Sequence, residues 1–275
     1  MRTRQAIVAC LAGIFLVVAA ILQLSGPHTK VDELTLDLIT AHKRFPLDLI
    51  GSVVNGIGLL AVAATLNYLY GSTVARSGDI RSFVRILAIT GASIAAITGI
   101  AYAALIAAKA NDFVHHGNQT YEQANHLTGS GPLAILPLLG QLASLLLAIG
   151  FVMIALNAMR VGLLTRFMGY LGIFTGVLVL FPIGSPVPVV QGFWLVAVGY
   201  LLSGRWPTGV PPAWRSGRAE RWPSSAELRE QRMRAAGRAP RGKPAPEPAP
   251  SEAVAAAGSA RTRAATPKRK RKKRR

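Results

Sequence analysis

Leu133-Ala-Ile-Leu-Pro137-Leu-Leu-Gly-Gln141-Leu-Ala-Ser-Leu-Leu-Leu-Ala-Ile-Gly150-Phe-Val-Met-Ile-Ala-Leu156 decides the class of this protein. The run holds no Asp, Glu, Lys, Arg or His. An α-helix rises ~1.5 Å per residue, so about 20 apolar residues in succession cross a hydrocarbon layer of ~30 Å. A surface helix of a soluble domain needs an apolar stripe only, with charge on the opposite face. This one is apolar all round.

Working outward, five more stretches read the same way: Ala6–Leu24, Leu47–Tyr70, Val84–Ala108, Leu163–Phe181 and Val187–Leu202. The expected fold class is therefore all-α, an integral membrane bundle of six transmembrane helices. The last stretch is the shortest, but Tyr200 and Trp206 suit an interfacial end, where aromatic rings sit well. The first stretch also has features of a signal peptide: Arg2 and Arg4, an apolar run, then the small Ala19 and Ala20. Its apolar run continues through Ile21, Leu22 and Leu24, longer than a usual signal core, and so reads as a retained helix.

Charge divides the chain. The formal net charge is +19 although 51% of the residues are hydrophobic. Residues 1–203 hold 11 Lys/Arg and 7 Asp/Glu, net +4, whereas residues 204–275 hold 20 and 5, net +15. The first part is the expected membrane domain. The second is a basic Pro/Ala/Arg-rich tail, expected to be mostly disordered. A single soluble domain and a wholly disordered chain are both excluded by that split. Arg outnumbers Lys 23 to 8, a bias that GC-rich bacterial genomes produce.

The connecting segments alternate in charge. Arg2 and Arg4, then Arg76, Arg81 and Arg85, then Arg160 and Arg166, and finally the tail fall on one side. On the other side, Lys30, Lys43 and Arg44 are offset by Asp32, Glu33, Asp37 and Asp48, Lys109 stands with Asp112 and Glu122, and residues 183–186 carry no charge. Positively charged loops stay in the cytoplasm. Both termini are therefore expected there, in a bacterial plasma membrane, as an even number of spans requires.

No ionisable side chain lies in the middle of a span. Coupled pumps, haem proteins and intramembrane metalloproteases rely on such groups, so these classes are disfavoured. The uncharged polar residues are Asn55, Asn67, Gln141, Asn157 and Gln191, with Ser93, Thr98, Ser144 and Thr175. Two readings apply. In one, these residues form hydrogen bonds between helices, worth ~0.6 to 2 kcal/mol each. In the other, Asn55, Gln141 and Gln191 line a path for a small neutral solute. Gly91, Ala95, Gly99, Ala103 and Ala107 recur every four residues, as do Ser52 with Gly56 and Gly172 with Gly176, and such flat faces let backbones approach. Pro132 and Pro137 suggest a bend at the start of the fourth span.

All five histidines, His28, His42, His115, His116 and His126, fall in the outer segments without metal-binding spacing. They read as solvated loop residues rather than a zinc site or pH sensor. Cys10 is the single cysteine, which excludes an intramolecular disulfide and reads as a small buried hydrophobe. No nucleotide-binding loop, Ser/His/Asp set or carboxylate pair stands out, so no catalytic residue, metal or cofactor is assigned.

In the tail, Trp206, Trp214 and Trp222 stand among Arg205, Arg215, Arg218 and Arg221 and read as interfacial anchors. Ser224 to Glu227 resembles a capping box opening a short helix over 225–236, with Glu230 paired to Arg234. The chain ends on Lys268, Arg269, Lys270, Arg271, Lys272, Lys273, Arg274 and Arg275. A flexible tail of this length reaches on the order of 45–50 Å, so its tip stays close to its own bilayer. Anionic lipid headgroups are the expected partner, at ~1 kcal/mol per basic residue. A cluster with no specific partner is the next reading, and nucleic acid or the ribosome ranks below, because the cluster has no aromatic residue for base stacking.

The stretch Arg160-Val-Gly-Leu-Leu-Thr-Arg166-Phe-Met-Gly-Tyr-Leu-Gly172, continuing through Phe181-Pro182, Pro188-Val-Val-Gln191-Gly-Phe-Trp194 and Gly204-Arg205-Trp206-Pro207, resembles the C-terminal half of uncharacterised bacterial multi-pass membrane proteins, families defined only as domains of unknown function. The resemblance spans about residues 160–207. It implies about six spans and carries over no functional residue. The leading expectation is a non-enzymatic membrane protein whose polybasic tail docks on anionic lipid or a partner. A channel or facilitator for a small neutral solute is the alternative, and a membrane-bound enzyme the second alternative.

Overall fold

The computed structural model describes residues 2–25, 33–77, 80–116, 118–180, 188–207 and 209–220, and beyond them Glu227, Arg229, Glu230, Met233 and Arg234. Every regular element among the described residues is helical. In chain order these are α1 (Arg2–Leu24), α2 (Leu34–Arg44), α3 (Leu47–Ser77), α4 (Phe83–His116), α5 (Tyr121–Thr128), α6 (Pro132–Arg160), α7 (Arg166–Leu180), α8 (Val189–Leu202) and α9 (Pro212–Ser216).

Four helices, α1, α3, α4 and α6, are long and apolar enough to cross a membrane, and the protein is membrane-embedded on that ground. Helices α7 and α8 are also apolar but shorter, at 15 and 14 residues, or ~22 and ~21 Å of rise. Helices α3 and α4, at 31 and 34 residues, rise ~46 and ~51 Å and overrun a bilayer core.

Packing runs round a ring in the order α1, α3, α4, α6, α7, α8 and back to α1. Small residues set how closely its members approach. A Cβ on Gly13 of α1 would lie 2.6 Å from the carbonyl oxygen of Gly192 on α8. One on Gly91 of α4 would lie 2.5 Å from the backbone nitrogen of Leu147 on α6. Gly172 of α7 leaves room for the indole of Trp194, which is fully buried and donates from Nε1 to the Met168 carbonyl at 2.9 Å. The four-residue stripe on α4 is not uniform, since Gly99 faces open space while Gly91 is packed.

Several expectations change here. The outer segments contain helix rather than loop. Leu38 of α2, Ala110 and Phe113 of α4, and Ala124 of α5 form a second apolar core outside the ring. The α4 helix carries on to His116, and Thr120 caps α5 by accepting the backbone N–H of Gln123 at 3.4 Å. An amphipathic surface explains this: α2 buries Leu38 and turns its polar face to water.

The bundle also extends beyond residue 203, because the compact unit runs to Pro223. Helix α9 buries Ala213 completely. Trp214, expected to be an interfacial anchor, packs against the bundle core. Its indole donates from Nε1 to the Leu163 carbonyl at 3.0 Å, stacks on Tyr68 at 6.0 Å, and lies beneath the guanidinium groups of Arg2 and Arg76. Glu220 N–H donates to the Val161 carbonyl at 3.2 Å, beside Gly162 at φ +80°, where a Cβ would also collide with the Glu220 carbonyl. Trp206 stays near Tyr200, at 6.0 Å, and Trp222 lies outside the described residues.

In the second unit, residues 224–275, the described positions Glu227, Arg229, Glu230, Met233 and Arg234 are helical. Arg234 pairs with Glu230 at 2.5 Å. The capping residues Ser224 and Ser225 and the terminal cluster Lys268 to Arg275 lie outside the described residues.

Candidate functional site

Membrane helices satisfy their own backbone, so the side chains that need partners identify a site. The hydroxyls do not need one. Thr98 donates to the Ile94 carbonyl at 2.8 Å, Ser144 to Gly140 at 2.9 Å, and Thr175 to Leu171 at 2.7 Å, each back along its own helix. Asn157 does the same toward Met153 at 2.8 Å. These bonds replace the interhelical ones expected from sequence, because a short side chain reaches its own i−4 carbonyl before it reaches a neighbour.

The longer amides behave differently. Asn55 on α3, Gln141 on α6 and Gln191 on α8 line one cavity of about 660 Å³. Among the described residues, none of their side chains has a protein hydrogen bond. Gln23 of α1 and Tyr102 of α4 join them on the wall, with Thr98 and Ser144 between. Four carboxamides from four helices thus face one space, and among the described residues no charged side chain lines it. Carboxamides both donate and accept, so the wall suits an uncharged ligand that does the same. A pocket of this size falls in the usual range for small-molecule sites.

Depth follows from the lining. On α1 the wall runs from Gln23 to Leu16, and on α6 from Leu136 to Leu147, or ~10 and ~16 Å along those helices. Leu16, Leu59 and Leu147 form the inner limit. Beyond them the ring is solid, filled by Ala9, Ala12, Leu66, Phe151, Ile154 and Trp194. The cavity therefore occupies one half of the bundle, the half away from Arg2. Gly99, the open member of the α4 stripe, lies on its wall, and so does Pro137. Near this half, Arg44 pairs with Asp48 at 2.8 Å and donates to the Gln23 carbonyl, tying α2 and α3 to the end of α1.

The histidines form no comparable site. His42 and His115 meet edge to face at 5.2 Å, and His116 lies 3.5 Å from Asp112. Among the described residues no three His, Cys, Asp or Glu side chains converge as metal ligands, and His28 lies outside them. Asn67 is remote from the amide cavity and lines a separate pocket at the other end of α3.

Sequence inspection picked out Asn55, Gln141 and Gln191 but missed Gln23 and Tyr102. Gln23 stands one residue from the end of its apolar run, where polarity carries little signal. A Tyr within a span reads as an interfacial ring. Comparison with known protein families, with curated proteins and with solved structures finds no match for this chain.

Proposed function

We propose that this is a non-enzymatic, six-span protein of a bacterial plasma membrane, with both termini cytoplasmic. It binds a small uncharged solute in a cavity open toward the non-cytoplasmic side. The convergence of Gln23, Asn55, Gln141 and Gln191 on one uncharged cavity carries this reading. Six spans follow if α7 and α8 both cross, their short rise being compatible with a locally thinned bilayer. The solid inner half favours one-sided binding over an open channel. A facilitator would have to unpack Trp194 and Phe151, whose rings lie 4.7 Å apart.

The test is ligand-dependent thermal stabilisation of the purified full chain against uncharged polyols, sugars and amides and their charged analogues. A ligand present at about 100 times its Kd adds about 2.7 kcal/mol. An uncharged compound that stabilises the native protein but not the Gln141→Leu variant supports the site. Stabilisation by charged compounds alone overturns it. Solute flux in proteoliposomes separates binding from conduction.

The polybasic end, Lys268 to Arg275, is proposed to dock on anionic headgroups of the inner leaflet, supported by its charge and its reach. Equal co-sedimentation of the tail with neutral and anionic vesicles would rule that out.

A further inference from the structure

The end of the bundle that carries Arg2 holds a second pocket, of about 720 Å³, between the last turns of α3 and the first turns of α4. Its chemistry is the opposite of the amide cavity. Arg76 and Arg85 line it together with Ser72, Asn67 and the phenols of Tyr68 and Tyr70, and Trp214 closes one side. Arg76 is held in place by three contacts. Its Nε donates to the Ala213 carbonyl at 2.8 Å, its Nη1 donates to the Ser72 carbonyl at 2.6 Å, and its guanidinium lies 4.9 Å from the Trp214 ring centroid. Nη2 keeps its hydrogens free of any protein acceptor among the described residues.

A half-buried guanidinium beside a membrane normally meets a carboxylate. Neither Arg76 nor Arg85 forms an ion pair among the described residues. Arg2, 5.3 Å from the same indole, adds a third cation nearby. Over residues 76–85, Arg76, Arg81 and Arg85 oppose only Asp79. That balance leaves a net charge of +2 over this short stretch, which attracts an anion. The surroundings specify which one. Ile86, next to Arg85 and one step farther toward the middle of α4, is 57% exposed and offers an apolar surface to an acyl chain next to the donor that Arg85 offers to a phosphate. Guanidinium groups bind phosphate through paired N–H donors, and basic pockets between membrane helices on the cytoplasmic side hold phospholipid headgroups.

We infer that the Arg76–Arg85 pocket is a binding site for the phosphate of an anionic phospholipid, with its acyl chains passing Ile86 toward the bilayer interior. The site is separate from the amide cavity. Arg76 is the fixed element. Arg85 is exposed, makes no side-chain hydrogen bond or ion pair among the described residues, and closes on the headgroup.

The experiment uses the full chain, purified in detergent and titrated with phosphatidylglycerol, phosphatidylcholine or inorganic phosphate, and reads thermal stabilisation together with the number of lipids retained in native mass spectra. Phosphatidylglycerol is expected to stabilise the native protein, and the other two to leave it unchanged. Arg85→Gln should weaken the phosphatidylglycerol response about tenfold, as expected for loss of a charge-assisted bond. The tail is identical in both proteins and cancels. Arg76→Lys, which keeps the charge but loses the planar donor set, should weaken it too, whereas Gln141→Leu should not. An unchanged response in Arg85→Gln, or equal stabilisation by phosphatidylcholine, overturns the site. Stabilisation by inorganic phosphate alone overturns the lipid assignment.

Discussion

The guanidinium of Arg2 lies 5.3 Å from the ring centroid of Trp214, and its Nε donates to the Leu202 carbonyl at 2.7 Å. The first turn of α1 is thereby tied both to the end of α8 and to the segment that follows it. Arg76 covers the same ring at 4.9 Å, and Tyr68 stacks on it with planes 11° apart. One indole joins α1, α3, α9 and the turn after α6. Each cation–π contact is worth about 0.5–2 kcal/mol, according to how far it is shielded from water.

Trp214→Ala should therefore destabilise the bundle by about 3–5 kcal/mol, the usual range for removing a packed aromatic side chain. Thermal unfolding of the detergent-purified protein measures it, and a drop of about 10 °C is expected. Trp206→Ala should cost much less, because that ring packs on the edge of the core beside Tyr200 and, among the described residues, donates no side-chain hydrogen bond and carries no cation. Equal losses in the two variants would show that α9 is not the fastening point.

Gly13→Ala and Gly99→Ala make the same chemical change with opposite expected effects. The added methyl at Gly13 would meet the backbone of α8 at 2.6 Å, while that at Gly99 meets nothing within 4 Å. The first should cost about 1–3 kcal/mol through overpacking. The second should leave stability unchanged or raise it by up to about 1 kcal/mol, through helix propensity alone. Paired thermal melts decide the matter, and a loss at Gly99 would mean that the cavity wall is packed.

Gln141→Leu should separate stability from binding. The amide has no hydrogen-bond partner among the described residues, so the melting temperature should stay within about 2 °C of the native value or rise. Affinity for a solute that the native protein binds should fall about tenfold, the worth of about one hydrogen bond. A large loss of stability would instead indicate that the amide supports the fold.

Topology is open to a direct check, since Cys10 is the single cysteine. On a Cys10→Ser background, Ser130→Cys and Ser185→Cys should react in intact cells with an impermeant maleimide, and Ser216→Cys only after lysis. Labelling of Ser216→Cys in intact cells would reverse the orientation. Protection of Ser185→Cys would remove α7 and α8 as spans.

The sequence alone determined the membrane class, the helical fold and the three amides at Asn55, Gln141 and Gln191. Apolar length and the scarcity of polar residues in a span are local properties, readable without knowing any neighbour. It also placed Gly91, Gly99 and Gly172 in stripes of small residues, but not which surfaces they meet. Only the tertiary structure decided the rest. It brought Asn55, Gln141 and Gln191 together with the overlooked Gln23, closed the cavity at Leu16, Leu59 and Leu147, and drew Trp214 from an expected membrane anchor into the bundle between Arg2 and Arg76. It also turned outer loops into helices packed on Phe113. The physical reason is the same in each case. Hydropathy reports how each residue partitions between water and lipid, while a cavity, a cation–π clamp or a second apolar core depends on residues far apart in the chain meeting at one place.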